Sequence, residues 1–260
     1  FMRVTDNGKG MLPEDLPVAV RRHATSKIRD AKDLNAILTL GFRGEALAAI
    51  AAVSDLRIIT KTKDAQMGAA IEVHTGRAGV VTEQGAADGT TVIVENLFAN
   101  VPARLKFLKQ DLTEAKYVAA IVEKVALSHP EIAFKFISDG NMKLNTSGDG
   151  ALTGVIRAVY GKEFAAKLLP VRGESNGVKA EGFITAPDVP RGNRNFQNFF
   201  INGRYVKSKT AMAALEQAYT SYMPPEKFPT CVLFLEINPA RVDGNVHPAK
   251  LEVKFSNEKL

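Results

Sequence analysis

Apolar and polar positions along this chain follow two periods, and each change of period marks an element. After MRVT (2–5), which reads as a strand, period-two runs recur at DLRIIT (55–60), AAIEVHT (69–75), GVVTE (79–83) and TTVIVEN (90–96), separated by Gly, Asp and Gln turns. They predict one antiparallel meander. Pro13 with Glu14 and Asp15 opens a helix through Val20, because proline suits a first turn and acids suit its dipole. Further helices are expected over 33–38 and, alanine-rich, over 45–52. Apolar residues at Val118, Ile121, Val122 and Val125 have helical spacing, so a long amphipathic helix is expected over 112–128. FKFIS, DGN and MKLN (134–145) then read as a hairpin.

Turn residues cluster in TSGDG (146–150), the expected linker between a first domain, residues 1–148, and a second, residues 151–260. Beyond it LTGVIRAVYG (152–161) and TAMAALEQAYTSY (210–222) read as helices. VKAEGFIT (178–185), FQNFFING (196–203), CVLFLEI (231–237) and LEVKF (251–255) read as strands. The mixture is an α/β (α+β) chain without internal repeats.

Composition narrows the classes. The 260 residues are 45% apolar and 24% charged, an ordinary globular mix long enough for one large or two ordinary domains. The longest apolar run, LAAIAAV (47–53), is far too short for a bilayer, and a single cysteine excludes a disulfide framework. A soluble protein of the reducing cytosol is expected, with no membrane partner. Cys231 reads as a small buried hydrophobe. A start at Phe1 rather than a methionine leads us to expect a fragment. Charge is unevenly shared: residues 1–150 hold 19 Lys/Arg against 18 Asp/Glu, and residues 151–260 hold 15 against 10. Between Val189 and Leu215 lie Arg191, Arg194, Arg204, Lys207 and Lys209 and no acid, a candidate footprint for an anionic polymer. By itself such a run is also an ordinary solvated loop and helix face.

Three stretches carry candidate chemistry. Asp6-Asn7-Gly8-Lys9-Gly10 is, taken alone, a strand followed by a reverse turn. Functionally it needs a buried carboxylate accepting from a ligand amine, with Gly8 and Gly10 letting the backbone approach a flat ring and phosphates. An adenine amine fits, whereas guanine would present a carbonyl to the same carboxylate. In GFRGEAL (41–47), Gly41 and Gly44 free the backbone to wrap an anion at the start of a helix, whose unpaired N–H groups point toward it. In GTTV (89–92), Thr91 offers a hydroxyl near a sheet end.

In this order, DNGKG, GFRGEAL and GTTV resemble the second, third and fourth motifs of the GHKL ATPases, which include gyrase B, histidine kinases and the MutL family. RHATSKI (22–28), NVPARLKFL (100–108), FINGRYV (200–206) and NVHPAK (245–250) make the chain similar to the MutL family of DNA mismatch repair proteins, over nearly its whole length. That resemblance implies a GHKL-type (Bergerat) α/β sandwich followed by a ribosomal-protein-S5-domain-2-like α/β domain that acts as transducer and DNA binder. It implies an ATP-binding, weakly hydrolysing switch that couples mismatch recognition to downstream repair enzymes and binds DNA. The cofactors would be ATP and Mg2+.

The resemblance also assigns residues. Asp6 would bind the adenine amine, Gly8 and Gly10 would line the nucleotide, and Thr25 and Lys27 would sit beside base and phosphates. Gly41, Phe42, Arg43, Gly44, Glu45, Ala46 and Leu47 would form a lid around the triphosphate, and Thr91 would support the adenine pocket. Lys250 would reach the γ-phosphate as the catalytic lysine, and Lys209 would be a DNA contact. His247 is read as a loop organiser, and His23, His74 and His129 as structural or solvated. Implied partners are DNA of little sequence preference, single- or double-stranded, a MutS-type mismatch recognition protein, a downstream nuclease or helicase, and an ATP-dependent N-terminal homodimer. The expected location is the bacterial cytoplasm, near the nucleoid.

Two departures bear on activity. The family's first motif, with its catalytic Glu and Mg2+-binding Asn, would lie upstream of Phe1, so this chain alone is expected to be inactive and the intact parent to be the ATPase. Gly244 stands where the family commonly has an apolar residue. Two functional classes follow: an ATP-driven switch, or a module that docks on DNA or a mismatch-recognition partner without turnover.

Overall fold

A computed structural model describes residues 1–22, 24, 44–238, 242–243 and 254–255. The helix expected over 33–38 lies outside these residues. The chain divides into two compact units, Phe1–Lys109 and Gln110–Leu260.

The first unit contains β1 (Met2–Asp6), a single 3-10 turn at Pro13–Asp15, α1 (Leu16–Ala19), α2 (Ala46–Ala52), β2 (Asp55–Lys61), β3 (Gly68–His74), β4 (Arg77–Ala78), β5 (Thr82–Gln84), β6 (Gly89–Glu95) and α3 (Pro102–Leu105). Its sheet runs β1-β6-β2-β3-β4, with β5 also paired to β3, and every pairing is antiparallel. The four predicted strands therefore do not form a simple meander, because the chain crosses β3 and β2 to place β6 between β1 and β2. Side-chain parity explains the choice. Val94 and Val92 of β6 stand opposite Leu56 and Ile58 of β2, continuing one apolar face that Ile71 and Val73 of β3 extend. Leu16 and Ala51 close over that face, and burying each large side chain there contributes about 1.5–3 kcal/mol. The helix predicted from Pro13 through Val20 is present over Pro13–Ala19, as one 3-10 turn followed by one α turn.

The second unit begins with α4 (Asp111–Ser128) and continues through β7 (Lys135–Ser138), β8 (Asn141–Asn145), α5 (Leu152–Tyr160), α6 (Lys162–Ala165), β9 (Leu168–Ser175), β10 (Val178–Thr185), β11 (Gln197–Ile201), β12 (Arg204–Val206), α7 (Lys209–Ala218) and β13 (Cys231–Ile237). Val242–Asp243 (β14) pairs with Lys254–Phe255 (β15). The main sheet runs β12-β11-β13-β10-β9, with β11 and β13 parallel. All five residues of β11 are buried, as a central strand covered on both faces requires. Phe200 and Val232 face a core shared with α4, α5 and β8, while Phe199, Ile201 and Leu233 face a core closed by Ala211, Met212 and Leu215 of α7.

The boundary between compact units falls at Lys109, because Ala126 and Leu127 of α4 and Leu144 of β8 share the second unit's core. The apolar face read for α4 also shifts. Ile121 is 62% exposed, whereas Ala126 and Leu127 are buried. The sequence pattern contains no strand at Leu168–Ser175, since Pro170 interrupts it; β9 lies at the sheet edge, where a proline is tolerated. Asn176-Gly177 joins β9 to β10 with both φ angles positive, the tight hairpin turn those residues favour.

Candidate functional site

The sheet of the first unit ends at Asp6, and the surrounding backbone is built around its carboxylate. Asp6 Oδ1 accepts from the Gly8 N–H at 2.8 Å and from the Thr90 N–H at 3.3 Å. Both donors converge on one oxygen, which leaves Oδ2 without a protein donor among the described residues. Asp6 is exposed rather than buried as the sequence pattern required. The carboxylate is oriented by backbone, not by enclosure.

The glycines have steric reasons that the sequence alone did not separate. Gly10 has φ +69°, and a β-carbon there would stand 2.2 Å from the Lys61 carbonyl oxygen; at Gly89, φ +111°, it would stand 2.1 Å from the Asp6 carbonyl oxygen. Both positions exclude any side chain because two backbones touch. A β-carbon at Gly8 would press on Asp6 Oδ1 at 2.9 Å. Beneath them the buried Thr60 hydroxyl ties three segments together. It accepts from the Met11 N–H at 2.9 Å, donates to the Gly89 carbonyl at 3.0 Å, and lies 3.1 Å from the Thr90 hydroxyl. One donor and two acceptor positions of a hydroxyl are then all used. Lys61 pairs with Asp88 at 2.7 Å beside the same turn.

Strand parity separates the two threonines of GTTV. Thr90 stands opposite Asp6 and Thr60, whereas Thr91 stands opposite Thr5 and bonds its hydroxyl at 3.0 Å on the other face of the sheet. The hydroxyl beside Asp6 is therefore that of Thr90, and Thr91 does not reach the expected pocket. The signal was present in sequence: Thr90 shares the parity of Val92 and Val94, the residues that turn inward. Nothing in the sequence pointed to Thr60.

Of the expected lid, Gly44, Glu45, Ala46 and Leu47 are described. Gly44 has φ +64°, and a β-carbon there would meet the Ala24 carbonyl oxygen at 2.2 Å, so this glycine also serves a close backbone approach. Glu45 is the N-cap of α2, Ala46 is exposed on its first turn, and Leu47 packs on the first core. Thr25, Lys27, Gly41, Phe42, Arg43 and Lys250 lie outside the described residues, as do His23, Gly244 and His247. NVPARLKFL and the residues just before it fasten to the end of α2: the Phe98 N–H donates to the Val53 carbonyl at 2.7 Å and Asn100 Nδ2 to the Ala52 carbonyl at 3.0 Å.

In the second unit the five expected DNA-contacting cations are not equivalent. Arg194 donates to both carboxylate oxygens of Glu216, at 2.6 and 2.9 Å, and its guanidinium lies 4.1 Å from the Phe228 ring centre. The hydrogen bond from Arg194 holds the Glu216 carboxyl below its ordinary range and raises the guanidinium. The acid-free window ended at Leu215, one residue short of this partner. Arg191 is stacked over Phe164 at 4.2 Å and Phe196 at 4.6 Å, a packing role. Arg204 is partly desolvated, and its burial lowers its affinity for a proton. Lys207 and Lys209 are exposed with no acid paired to them among the described residues. Lys207 has a neighbour outside the run, Lys124, whose ammonium lies 4.5 Å over the Tyr205 ring. Burial, and then the Lys207 charge, hold Lys124 below the ordinary lysine range.

FINGRYV is also structural in part. Asn202 Nδ2 donates to the Ile237 carbonyl at 2.9 Å and Asn202 Oδ1 accepts from the Ile237 N–H at 3.0 Å, clamping the end of β13. Phe199 and Phe200 are strand core. Cys231 is fully buried, and burial pushes its thiol far up, so it behaves as a hydrophobe. His74 contacts Asp55 and His129 contacts Glu131. Among the described residues no group of three His, Cys, Asp or Glu could hold a metal ion, and no helix is long and apolar enough to cross a membrane.

Comparison with known proteins gives this geometry a family. A family model described as DNA mismatch repair protein, C-terminal domain, matches residues 156–260. The DNA mismatch repair protein MutL of Agathobacter rectalis is 48% identical over 257 residues, 99% of this chain and 40% of that protein. MutL of Symbiobacterium thermophilum is 46% identical over 259 residues, 100% of this chain and 41% of that protein. The chain thus spans about 40% of the length of these relatives. Among solved structures, the Aquifex aeolicus MutL ATPase domain complexed with ADP superposes with a TM-score of 0.69 at 27% identity, covering 91% of this chain and 80% of that one. The GHKL-type fold expected from the motifs is therefore the fold observed, and the chain belongs to the MutL family of DNA mismatch repair proteins.

Proposed function

We propose that this chain supplies the adenine-nucleotide pocket and a DNA-backbone contact of a mismatch-repair ATPase switch. One observation carries the reading: Asp6 is held at a strand end by the Gly8 and Thr90 N–H groups with Oδ2 left to accept from an amine. An adenine N6 amine donates in that direction, and a guanine O6 would meet it as a second acceptor. Gly8, Gly10 and Gly89 permit the close contacts that hold Asp6 in place, and Thr90 stands where Thr91 was expected. The ADP held by the Aquifex aeolicus relative supports an adenine nucleotide here.

ATP is the proposed ligand, and the residues present fit its base end. Gly44, Glu45, Ala46 and Leu47, with Gly41, Phe42 and Arg43, are the proposed lid, and Thr25, Lys27 and Lys250 the proposed phosphate neighbours. Mg2+ would neutralise charge on the phosphates when bound; among the described residues no group of three His, Cys, Asp or Glu could hold it. Residues 1–148 would serve as the GHKL ATPase domain and 151–260 as the transducer and DNA-binding domain. ATP-dependent dimerisation, coupling to a MutS-type protein and to a nuclease or helicase, and a cytoplasmic site of action are parts of the same proposal. Lys207 and Lys209 are the proposed phosphate contacts on DNA, with Arg191 and Arg194 acting through packing. The test is calorimetric titration of a chain extended to its relatives' length with a non-hydrolysable ATP analogue and its guanine counterpart. Preference for the adenine form supports the pocket; equal affinities overturn it.

A further inference from the structure

The second unit carries a cavity that neither the nucleotide pocket nor the basic run uses. Helix α5 stops at Gly161, whose φ of +84° breaks the helix before α6 begins. The groove beside this break, of about 240 Å³, has a floor of Ile156, Leu168 and Phe183 and a rim of Thr153, Arg157 and Lys162. No carboxylate lines it among the described residues. Neither Arg157 nor Lys162 has an acidic partner among them. The surrounding stretch 151–172 is also biased, with Arg157, Lys162, Lys167 and Arg172 against Glu163 alone.

The chemistry of the walls selects the occupant. A phosphate or a nucleic-acid backbone would use the cations and leave the apolar floor empty, whereas a neutral apolar group would use the floor and ignore the cations. The volume is below the roughly 300–1,000 Å³ of small-molecule sites, and suits one bulky side chain. We propose that this groove docks a partner protein through an acidic peptide in which a bulky apolar residue is flanked by carboxylates. The apolar residue fills the space above Phe183 and Leu168, and the carboxylates meet Arg157 and Lys162. The inference rests on the second unit alone and is independent of the nucleotide reading.

Fluorescence anisotropy with the full chain tests it. The probes are a fluorescein-labelled hexapeptide alternating glutamate and leucine, a counterpart with glutamine for glutamate, a counterpart with serine for leucine, and a labelled random-sequence duplex. The glutamate–leucine peptide should bind, and both counterparts should bind several-fold more weakly. Arg157→Gln and Lys162→Gln should each weaken it by about two- to fivefold, the scale of an exposed ion pair. Ala166→Leu, which fills the groove without changing a charge, should weaken it as well, with a melting curve to verify folding. Because Arg157 is exposed, its variant keeps the test decisive if Ala166→Leu does not fold. No binding, equal binding of the leucine and serine peptides, or affinity unchanged in Arg157→Gln overturns the proposal. A duplex that displaces the peptide and suffers the same losses in Arg157→Gln and Lys162→Gln also overturns it, in favour of a nucleic-acid surface.

Discussion

Replacing Asp6 by asparagine separates the carboxylate's two tasks. The amide keeps an oxygen in the Oδ1 position, so it can still accept from the Gly8 N–H at 2.8 Å and the Thr90 N–H at 3.3 Å, and the turn is retained. Because the residue is exposed and the local bonds survive, stability should change by no more than about 0.5 kcal/mol. The free oxygen, however, becomes an NH2 donor facing the adenine amine, also a donor. One hydrogen bond to a charged group is removed, worth about 1.5–3 kcal/mol, which corresponds to roughly a ten- to hundredfold rise in Kd. The same amide can donate to a guanine O6, so discrimination between adenine and guanine nucleotides should narrow even as adenine affinity falls. Calorimetry with the adenine and guanine analogues on wild type and Asp6→Asn, in a chain of its relatives' length, reads both effects. Unchanged adenine affinity in a folded Asp6→Asn protein would refute the pocket, and a uniform loss for both bases would refute the assignment of Oδ2 to base recognition.

Thr90→Val should weaken the adenine analogue by up to about tenfold, the range of one neutral hydrogen bond, while Thr91→Val, which removes only the hydrogen bond to Thr5, should leave affinity within about twofold; calorimetry of the pair decides which threonine belongs to the pocket. Gly89→Ala should destabilise the first unit by at least about 1–3 kcal/mol in denaturant titration, since φ +111° is strained for alanine and the new carbon would stand 2.1 Å from a carbonyl oxygen. On random-sequence duplexes, Lys209→Glu should lower affinity and flatten the log-log salt slope by about 0.9 for each phosphate no longer neutralised, whereas Arg194→Gln should leave that slope nearly unchanged. Equal slopes in the two variants would place the DNA site elsewhere. For the pair itself, the depressed Glu216 carboxyl contributes stability above the ordinary glutamate range that disappears as pH falls through its lowered value. Acid titration of Arg194→Gln should show that pH-dependent loss diminished.

Much of this protein was legible in one dimension. Period-two runs located β2, β3 and β6, an Asp-Gly turn located the hairpin of β7 and β8, and the ordered strings DNGKG, GFRGEAL, FINGRYV and NVHPAK pointed to the family, because turns, helix starts and close backbone approaches are local and leave their glycines and caps in sequence. What the tertiary structure decided were matters of pairing. The insertion of β6 between β1 and β2 is a long-range choice, and it is that register which turns Thr90 toward Asp6 and Thr91 toward Thr5. Glu216 lies one residue past the acid-free window, and only the fold pairs it with Arg194, 22 residues away. The compact units divide at Lys109 because Ala126, Leu127 and Leu144 are buried against Phe200 and Val232, on strands far along the chain. Hydrophobic periodicity says that a face must be covered; only the folded chain, by bringing distant elements together, determines which surface covers it.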